Sequence, residues 1–428
     1  MISLPFAKNK TYYLVGLGKS NQSALKALQK AGADVRIWDD NLADLRDFDG
    51  KMICPPEKAP WSKIKAVVAA PGVPPFHPVL TLAKERETPI ICDVDLFFQS
   101  KPKTTVVGVT GTNGKSTTAA LIHHILNDNA KAQLGGNIGE PVLNLKSKIK
   151  YTVLELSSYQ LEYSPNIACD ISILLNISKD HLDWHETMDN YVAAKSKIFN
   201  NAGTKIISID DSNSKSVFED NGSNAISLSV YGEDLPLQAT DFPKLKGQHN
   251  FQNILAAYHA CLSLGMKHED IVERIKSFDG LEHRQYFVRN VNGVPYINDS
   301  KATNAEASKN ALSAFRNIVW IAGGIAKEGG LEPLDGHLNH VQKAILYGHA
   351  ADDFAKFLSV RGIEVETCIT LEEAVNLAHK KAQDMRGEPS GSPTVLLSPA
   401  CASFDQFKNF EERGDYFVDL VEKIDPDL

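Results

Sequence analysis

The chain has 428 residues, about three times the ~150 residues of a typical domain, so we expect two to four domains and exclude a single small module. Hydrophobic residues make up 43% and charged residues 23%, which excludes a disordered or fibrous protein. The net charge of −8 argues against a protein whose main role is to coat nucleic acid or an anionic membrane.

The first predicted domain covers residues 1–92. TYYLV (11–15) and DVRIW (34–38) are apolar runs typical of strands, and an amphipathic helical pattern lies between them. This strand, helix and strand form one βαβ unit. A further apolar run, KAVVAAPG, and then TPIICDVDLFF continue the alternation. The pattern predicts a Rossmann-like α/β domain with a parallel sheet.

The loop between the first strand and the helix, GLGKSN (16–21), is similar to the GxGxxG sequence of dinucleotide sites. Asp39 follows at the distance at which a ribose-binding acid falls in such sites. Asn21 stands in place of the third glycine, however, which makes close packing of helix on strand less certain. A nucleotide site and a plain strand-to-helix turn both fit the loop.

The second predicted domain covers residues 93–281 and begins with a strand that leads into GVTGTNGKS (108–116). A glycine-rich loop between a strand and a helix presents backbone N–H groups to phosphate. Lys115 would reach the terminal phosphates and Ser116 a magnesium ion. The strict P-loop pattern has a glycine where Val109 stands, so the match fails by one residue. Phosphate binding is still favoured over a simple turn.

Three further residues of this domain are candidates for chemistry. Glu155 ends the strand-like run YTVLE, so it lies at the sheet edge where ligands bind, and a carboxylate there can hold magnesium. Taken alone, a solvent-facing or helix-capping glutamate is slightly favoured, but the P-loop at the same sheet edge favours metal binding. His181 follows the run DISILLNIS and could bind a metal or a phosphate, although a lone histidine is usually structural. Lys195 lies in a helical pattern whose lysines are most simply a solvated face. Residues 201–246 are strand-like with polar interruptions and predict a small accessory sheet.

The third predicted domain covers residues 282–428, where strand-like and helix-like segments alternate regularly and again predict a Rossmann-like domain. NDSKATN (298–304) and SPACASFD (398–405) each follow a strand and precede a helix. Both could bind a ligand, or could simply cap the helices. Cys401 has no evident partner base, so we interpret it as a small buried residue.

The six cysteines stand at least 33 positions apart, so the sequence holds no CxxC metal or redox pair. The N-terminal residues lack the apolar core of a signal peptide, and no apolar run approaches the ~18 residues that span a bilayer. We therefore expect a cytoplasmic protein.

Taken together, the motifs resemble the Mur ligase family, the ATP-dependent amide-forming enzymes of peptidoglycan precursor synthesis. The resemblance spans nearly the whole chain and is carried, in order, by GVTGTNGKS, ELSSYQLE, DHLD with YVAAK, GQHNFQN, LEHR and NDSKATN. The loop with valine at 109 is the form that this family uses. The resemblance implies three α/β domains, the central one a P-loop-type ATPase domain.

Within the family, NDSKATN and SPACASFDQFKNFEERG are similar to the member that adds D-glutamate to UDP-N-acetylmuramoyl-L-alanine. The resemblance then implies phosphorylation of the substrate carboxylate by ATP, attack by the amine of D-glutamate, and release of ADP and phosphate. Other members of the family that add a different amino acid are the nearest alternative. We expect a monomer that binds neither nucleic acid nor membrane.

The resemblance also implies the residues that bind ATP and two Mg²⁺ ions. Catalytic and metal-binding roles fall on Lys115, Ser116, Glu155, His181 and Lys195, the last as a carbamylated lysine. CO2 converts such a lysine into an anionic oxygen ligand suited to magnesium. The positions implied for ATP are Gly111, Thr112, Asn113, Gly114, Lys115, Ser116, Thr117, Asn250, Asn253, Arg284 and Asp299.

For the two other substrates, the resemblance implies one site in each terminal domain. The residues implied for the UDP-substrate are Leu17, Ser20, Asp39 and Gly72 of the first domain, together with Asn137 and Gln160. The residues implied for D-glutamate are Thr303, Lys327, Ser403, Phe404 and Phe410. The family's GGDGK stretch reads GGIAK at 323–327, which leaves the shape of that loop and the role of Lys327 less certain.

Two functions of other classes stay open at this stage. A P-loop ATPase switch would hydrolyse ATP without ligation, but it leaves NDSKATN and SPACASFD without a common role. A nicotinamide-dependent dehydrogenase would rest on GLGKSN alone.

Overall fold

The computed structural model describes residues 1–46, 48–232, 235–245, 247–327, 329–387 and 391–425. The chain is a mixed α/β protein built on parallel sheets. It divides into two compact units, one formed by Met1–Gln238 with Asn250–Ser277 and the other by Ala239–His249 with Phe278–Leu428.

The first sheet of the larger unit has four parallel strands. Its elements are β1 (Thr11–Val15), α1 (Lys19–Lys30), β2 (Asp34–Trp38), β3 (Ile64–Ala69), α2 (Pro78–Glu85), β4 (Ile90–Ile91) and α3 (Asp93–Gln99). The strand order is β2-β1-β3-β4. The two predicted strands of this region and the helix between them are confirmed.

Asn21 explains how the first loop manages without the third glycine of the dinucleotide pattern. Its side chain is completely buried, and Nδ2 donates to the carbonyl oxygens of Val15, Gly16 and Val68 at 3.1, 2.8 and 3.0 Å. The amide thus joins the start of α1 to the ends of β1 and β3. Asn21 holds helix and sheet together by hydrogen bonds where glycine would do so by close approach.

Replacement of Asn21 by alanine is therefore expected to destabilise the protein. The carbonyl oxygens would lose a buried donor, at a cost of about 1–3 kcal/mol in the free energy of unfolding. Gln22→Ala is the matched control, because Gln22 is exposed on the same helix and donates only to the carbonyl oxygen of Leu17. Urea unfolding would measure both variants, and equal midpoints for the two would contradict the bridging role.

The second sheet has six parallel strands. Its elements are β5 (Thr105–Thr110), α4 (Lys115–Leu126), β6 (Ala132–Gly136), β7 (Tyr151–Glu155), α5 (Ser158–Glu162), β8 (Ile171–Leu174), α6 (Leu182–His185), α7 (Met188–Ser196), β9 (Thr204–Ser208), α8 (Ser212–Asn221) and β10 (Ala225–Leu228), followed by α9 (Gln248–Ser263) and α10 (His268–Lys276). The strand order is β10-β9-β8-β5-β7-β6.

The predicted accessory sheet at residues 201–246 is wrong. β9 and β10 extend the main sheet in parallel, with α8 as the crossover helix between them. The polar run taken as an interruption is a helix start, since the Asp211 side chain accepts a hydrogen bond from the Ser214 backbone N–H at 2.9 Å. Polar residues that cap a helix were mistaken for a break between short strands.

The third sheet lies in the smaller unit. Its elements are β11 (Tyr286–Val291), β12 (Val294–Asn298), α11 (Ala305–Ala314), β13 (Ile318–Gly323), β14 (Ile325–Ala326), β15 (Val341–Tyr347), α12 (Ala351–Ser359), β16 (Glu364–Cys368), α13 (Leu371–Asp384), β17 (Thr394–Leu397), β18 (Cys401–Ala402) and α14 (Phe410–Glu422). The strand order is β11-β12-β17-β13-β15-β16, and β14 pairs separately with β18. Among the described strands of the six-stranded sheet, β11 alone runs antiparallel, and β13 is buried along its whole length, as expected for a central parallel strand.

All six cysteines are unpaired. Cys401 is completely buried and burial raises its pKa to about 12, so its interpretation as a small buried residue is confirmed. No helix within the described ranges has both the length and the apolar character needed to cross a membrane.

Candidate active site

The glycine-rich loop lies between β5 and the first residue of α4. Gly114 precedes the helix with φ of +84°, and a Cβ atom there would stand 2.2 Å from Asn253 Oδ1. Glycine is thus required both by the backbone and by the neighbouring side chain. Lys115 Nζ folds back and donates to the carbonyl oxygens of Gly111 and Thr112 at 2.9 and 2.8 Å. The loop combines a helix N-terminus with a cation, which suits it to bind phosphate.

Glu155 ends β7 beside this loop and is only 1% exposed. Its Oε1 accepts a hydrogen bond from Asn137 Nδ2 at 2.8 Å, and the Asn137 backbone N–H donates to the Glu155 carbonyl oxygen at 2.9 Å. Oε2 is buried and accepts no hydrogen bond from the described residues. Glu155 Oε2, at the C-terminal end of β7, is therefore able to accept a hydrogen bond or to bind a metal ion.

Lys195 is 1% exposed, so the interpretation of its helix as a solvated face is wrong at this position. Its Nζ donates to the Gly111 carbonyl oxygen at 2.8 Å and lies 4.8 Å from the centre of the Tyr191 ring. Lys115 and Lys195 thus meet at one carbonyl oxygen of the loop. Burial, with a contribution from the Lys115 charge, lowers the pKa of Lys195 well below its ordinary value.

His181 precedes α6 in the left-handed backbone region, with φ of +54°. Its ring lies 4.9 Å from the Tyr159 ring and 6.2 Å from the Tyr191 ring, and Tyr191 Oη is 3.1 Å from Thr112 Oγ1. Burial lowers the pKa of His181, and the charges of Lys115 and Lys195 lower it further, which favours the neutral imidazole. An aromatic cluster therefore connects His181 to the glycine-rich loop.

Asn250 and Asn253 lie on α9 and are both buried. Asn253 Nδ2 donates to Asn250 Oδ1 at 3.2 Å, and Thr118 Oγ1 donates to Asn253 Oδ1 at 3.1 Å. These bonds fasten α9 to the helix that follows the loop. The two asparagines thus lie close to the glycine-rich loop.

At the edge of the first sheet, Asp39 organises the loop after β1. Its Oδ2 accepts a hydrogen bond from the Leu17 backbone N–H at 2.7 Å. Ser20 lies in the first turn of α1, and Gly72 has no described atom within 4 Å of the position that a Cβ would occupy. Gln160 is buried, and its Oε1 accepts a hydrogen bond from the Ser157 backbone N–H at 3.0 Å. Gln160 therefore caps α5, whatever further role it has.

In the smaller unit, pairing of β14 with β18 brings the GGIAK stretch beside the SPACAS segment. Gly323 and Gly324 have φ of +145° and +125°, and Cβ atoms there would stand 1.9 Å from the Tyr347 carbonyl oxygen and 2.3 Å from that of Ala402. The structure therefore needs the two glycines that the sequence retains. Ile325 and Ala326 occupy ordinary strand positions, so the changed residues do not strain this loop.

The other candidate residues of the smaller unit surround these segments. Lys301 Nζ lies 5.5 Å from the centre of the Phe410 ring, which connects the NDSKATN segment to α14. Ser403 is buried, while Lys327 and Phe404 are exposed. Asp299 is buried and accepts hydrogen bonds from Ser398 Oγ at 2.7 Å and the Gln285 N–H at 3.1 Å, and burial raises its pKa to about 7.

The described residues contain no group of three or more His, Cys, Asp or Glu side chains arranged to hold a metal ion. The proposed magnesium ligands include only two such side chains, Glu155 and His181, alongside Ser116 and Lys195. The unpartnered, buried Oε2 of Glu155 is nevertheless a ligand that Mg²⁺ accepts. Among the proposed ligands, the oxygen atoms of Glu155 and Ser116 are of the type that Mg²⁺ prefers, together with water and phosphate.

Comparison with known proteins identifies the family. Family models match residues 109–261 as the Mur ligase middle domain and residues 283–401 as the Mur ligase, glutamate ligase domain. The UDP-N-acetylmuramoylalanine--D-glutamate ligase of Rhodospirillum rubrum is 40% identical over 95% of this chain and 93% of its own. The enzyme of the same name from Rhizobium meliloti is also 40% identical, over 99% of each chain.

The chain belongs to the Mur ligase family. Its fold agrees with this assignment: the MurF ligase from Thermotoga maritima, solved in complex with ADP, superposes with a TM-score of 0.56 over 99% of this chain and 97% of that one. The sequence identity is 16%, so this likeness concerns the fold alone.

In this Mur ligase, Arg413 is a residue of the candidate site that sequence reasoning missed. It is completely buried in α14 and donates to Ser300 Oγ, the Ser300 carbonyl oxygen and the Cys401 carbonyl oxygen at 2.9, 2.8 and 3.1 Å. No carboxylate in the described part of the chain forms an ion pair with it. Arg413 thus ties NDSKATN to SPACAS. FEERG entered the sequence analysis only as the end of a longer motif, and nothing in the sequence singles out this one charged residue as buried.

Proposed function

We propose that this chain is an ATP-dependent ligase that joins D-glutamate to UDP-N-acetylmuramoyl-L-alanine in peptidoglycan precursor synthesis. The names of relatives 40% identical over nearly the whole chain support this substrate pair. The observation that carries the chemistry is the meeting of Lys115 and Lys195 at the Gly111 carbonyl oxygen, beside a buried carboxylate. Such a site suits transfer of phosphate to an anionic acceptor.

The reaction needs an activated carboxylate, because the alanyl carboxylate is a poor electrophile. Attack of its oxygen on the γ-phosphorus of ATP gives an acyl phosphate and ADP. The amine of D-glutamate then attacks the acyl carbon to give a tetrahedral intermediate, which loses a proton and expels phosphate to form the amide. The first step brings two anions together, so cationic groups must neutralise their charge.

Lys115 supplies a cation at the N-terminus of α4, where it would bind the terminal phosphates of ATP. The backbone from Gly111 to Gly114 and the hydroxyls of Ser116 and Thr117 complete the phosphate site, with Asn250 and Asn253 close to the same loop. Arg284 and Asp299 are assigned to ATP by resemblance, the arginine to phosphate and the aspartate to ribose. The Nε of Arg284 is buried and has no partner among the described residues, so it has capacity for an acceptor.

Ser116, Glu155, His181 and a carbamylated Lys195 would hold Mg²⁺. A bound Mg²⁺ lowers the repulsion between the attacking carboxylate and the phosphates of ATP. Carbamylation of Lys195 begins from its neutral amine, which attacks CO2 and loses a proton to form the carbamate. Burial of Nζ favours the neutral amine, and the adjacent Lys115 favours the anionic product.

Each of the two remaining substrates would bind chiefly to one terminal domain, and the UDP-substrate would also contact two residues of the central domain. The residues assigned to UDP-N-acetylmuramoyl-L-alanine are Leu17, Ser20, Asp39, Gly72, Asn137 and Gln160. The residues assigned to D-glutamate are Thr303, Lys327, Ser403, Phe404 and Phe410. A cation and hydroxyl groups suit the side-chain carboxylate of glutamate, at about 1.5–3 kcal/mol for each charged hydrogen bond.

The domain bounds 1–92, 93–281 and 282–428 complete the proposal, with one substrate assigned chiefly to each domain. Separate domains can orient three substrates, and orientation contributes up to about 7–11 kcal/mol to lowering a barrier. A cytoplasmic, monomeric enzyme stays our expectation.

The test is phosphate release from Mg-ATP in the presence of UDP-N-acetylmuramoyl-L-alanine. We expect release with D-glutamate and background release with L-glutamate, L-alanine or no amino acid. Release with another amino acid would support the proposed mechanism but contradict D-glutamate as the amino-acid substrate. Release without either substrate would indicate an ATPase switch instead, and both results would contradict the proposal.

A further inference from the structure

His283 is a buried histidine to which the proposed reaction gives no role. It lies directly before Arg284, which is assigned to an ATP phosphate, and it is 7% exposed. The Arg284 N–H donates to the Leu281 carbonyl oxygen at 3.1 Å, so His283 is the third residue of a four-residue turn. Its φ is +61°, and that of Gln285, on the other side of Arg284, is +48°. Glycine or asparagine usually occupies such backbone, and other residues held there cluster at functional sites.

The side chain of Asn298 determines which nitrogen of His283 accepts a hydrogen bond. Asn298 is completely buried; its Oδ1 accepts from the Ser300 backbone N–H at 3.1 Å, and its Nδ2 donates to the Gly414 carbonyl oxygen at 3.0 Å. These two bonds fix the orientation of the amide, because an N–H only donates and a carbonyl oxygen only accepts. Nδ2 also lies 3.1 Å from His283 Nδ1, which must therefore accept. The ring proton is then on Nε2, which lies 3.5 Å from Asp415 Oδ1.

The His283 ring packs directly against α14. A Cβ atom on Gly414 would overlap His283 Nδ1. Gly414 lies inside the helix, where glycine is among the least favourable residues, and its φ is not positive, so the backbone does not require it. The close approach of the ring therefore explains why this helix contains a glycine. The Phe410 ring, at the start of the same helix, has its centre 6.3 Å from that of His283.

The backbone on both sides of Arg284 is fastened to the NDSKATN segment. The His283 carbonyl oxygen accepts a hydrogen bond from the Lys301 N–H at 2.9 Å, and the Gln285 N–H donates to Asp299 Oδ1 at 3.1 Å. The Nε of Arg284 is buried and has no partner among the described residues. Arg284 is thus a cation whose backbone is held in place while its side chain can still donate to an acceptor.

We propose that His283 is a positioning residue of the ATP site: its bond from Asn298 and its contact with Gly414 hold the turn that directs Arg284 to an ATP phosphate. This inference rests on the proposed function, which assigns Arg284 to phosphate. It adds a residue that does not touch ATP. It also makes α14, which carries Phe410 of the assigned D-glutamate site, part of the support of the ATP site.

Two substitutions of His283 separate the side chain from the backbone. The Oδ1 of asparagine is bonded to Cγ, as the Nδ1 of histidine is, and asparagine tolerates the left-handed backbone. His283→Asn therefore keeps both the acceptor and the conformation of the turn. His283→Gly keeps only the conformation. The difference between the two variants measures what the acceptor and the packing of the side chain contribute.

The test is calorimetric titration of the full chain with the Mg²⁺ complex of the β,γ-imido analogue of ATP, which is not hydrolysed. His283→Gly should raise the dissociation constant at least tenfold, because Arg284 is no longer preorganised, and His283→Asn should stay within threefold of the wild type. In steady-state assays the KM for ATP should rise in His283→Gly. The KM for UDP-N-acetylmuramoyl-L-alanine should change less than twofold.

A double-mutant cycle shows whether His283 acts through Arg284. Arg284→Met removes the charge, so in that background His283→Gly should weaken binding of the analogue by less than a further twofold. A residue that only stabilises the fold would weaken binding equally in both backgrounds.

Gly414→Ala tests the same contact from the other side. Alanine favours a helix, but its Cβ would displace the His283 ring. The variant should therefore bind the analogue at least threefold more weakly, although no residue of α14 is assigned to ATP.

His379→Ala is the matched control. His379 Nδ1 lies 2.6 Å from Tyr296 Oη, and α13, which carries it, holds no residue assigned to a substrate. The variant should lower the unfolding temperature and leave the affinity for the analogue as in the wild type. Unchanged affinity in His283→Gly or Gly414→Ala, equal weakening by both His283 variants, or additive effects in the cycle would overturn the role of His283 alone. Absence of binding by the folded wild type would overturn the proposed function together with this inference.

Discussion

Lys115→Ala is expected to lower ATP-dependent phosphate release at least 10³-fold, or about 4 kcal/mol of transition-state stabilisation. The ammonium group lies at the N-terminus of α4 and contacts the backbone that we assign to ATP phosphate binding, donating to the Gly111 carbonyl oxygen at 2.9 Å. Its removal leaves the transferred phosphate without that charge. Steady-state phosphate release with all three substrates is the measurement.

The fold should tolerate this change, because a cation in the first turn of a helix opposes the helix dipole. Lys131→Ala is the control: Lys131 is half exposed and pairs only weakly with Asp128, at 3.6 Å. It removes the same charge from the same part of the chain and should change the rate less than twofold. Retained turnover in Lys115→Ala would mean that the loop is only a structural turn.

Much of the fold is predictable because its strands and helices are local in sequence. TYYLV and DVRIW became β1 and β2, and the glycine-rich loop lies between a strand and a helix, as expected. The accessory sheet predicted at residues 201–246 was wrong because polar residues can either cap a helix or interrupt a strand. Asp211 begins a helix by capping it, and a sequence alone does not separate that use from a break between strands.

Residues of the candidate site could be predicted where a sequence motif contains them. They could not be predicted where their position depends on burial in the folded chain. Lys115 and Glu155 were found from the order of strand, loop and helix. Lys195 was found only through resemblance, because a lysine beside polar neighbours is most simply interpreted as solvent-exposed, although it lies on the buried face of its helix with Tyr191 and Ala194. Arg413 escaped notice, since charged residues are usually exposed and its burial results from packing between segments distant in the sequence.

The burial of Lys195 leads to a prediction about stability as well as rate. The pKa of its amine is lowered in the folded chain, so the unfolded chain binds more protons below the ordinary lysine value near 10.4. The residue therefore costs stability at neutral pH, and that cost shrinks as the pH rises towards the ordinary value. Lys195→Met should keep the unfolding temperature or raise it at pH 7, with a smaller difference at pH 9.

Replacement of Lys195 should lower activity, although it is not expected to lower stability. Lys195→Ala should lower ligation about 10²–10⁴-fold, because the carbamate oxygen ligands are lost, and formate or acetate should restore part of the rate by standing in for them. Lys197→Ala is the control, since Lys197 lies two residues away and pairs with Glu162 at 2.6 Å outside the loop; carboxylates should not affect it. Unchanged or higher stability of Lys195→Met, together with loss of activity in Lys195→Ala that small carboxylates partly restore, would separate the metal-bridging role of Lys195 from any structural one. Full activity of unrescued Lys195→Ala would rule that role out.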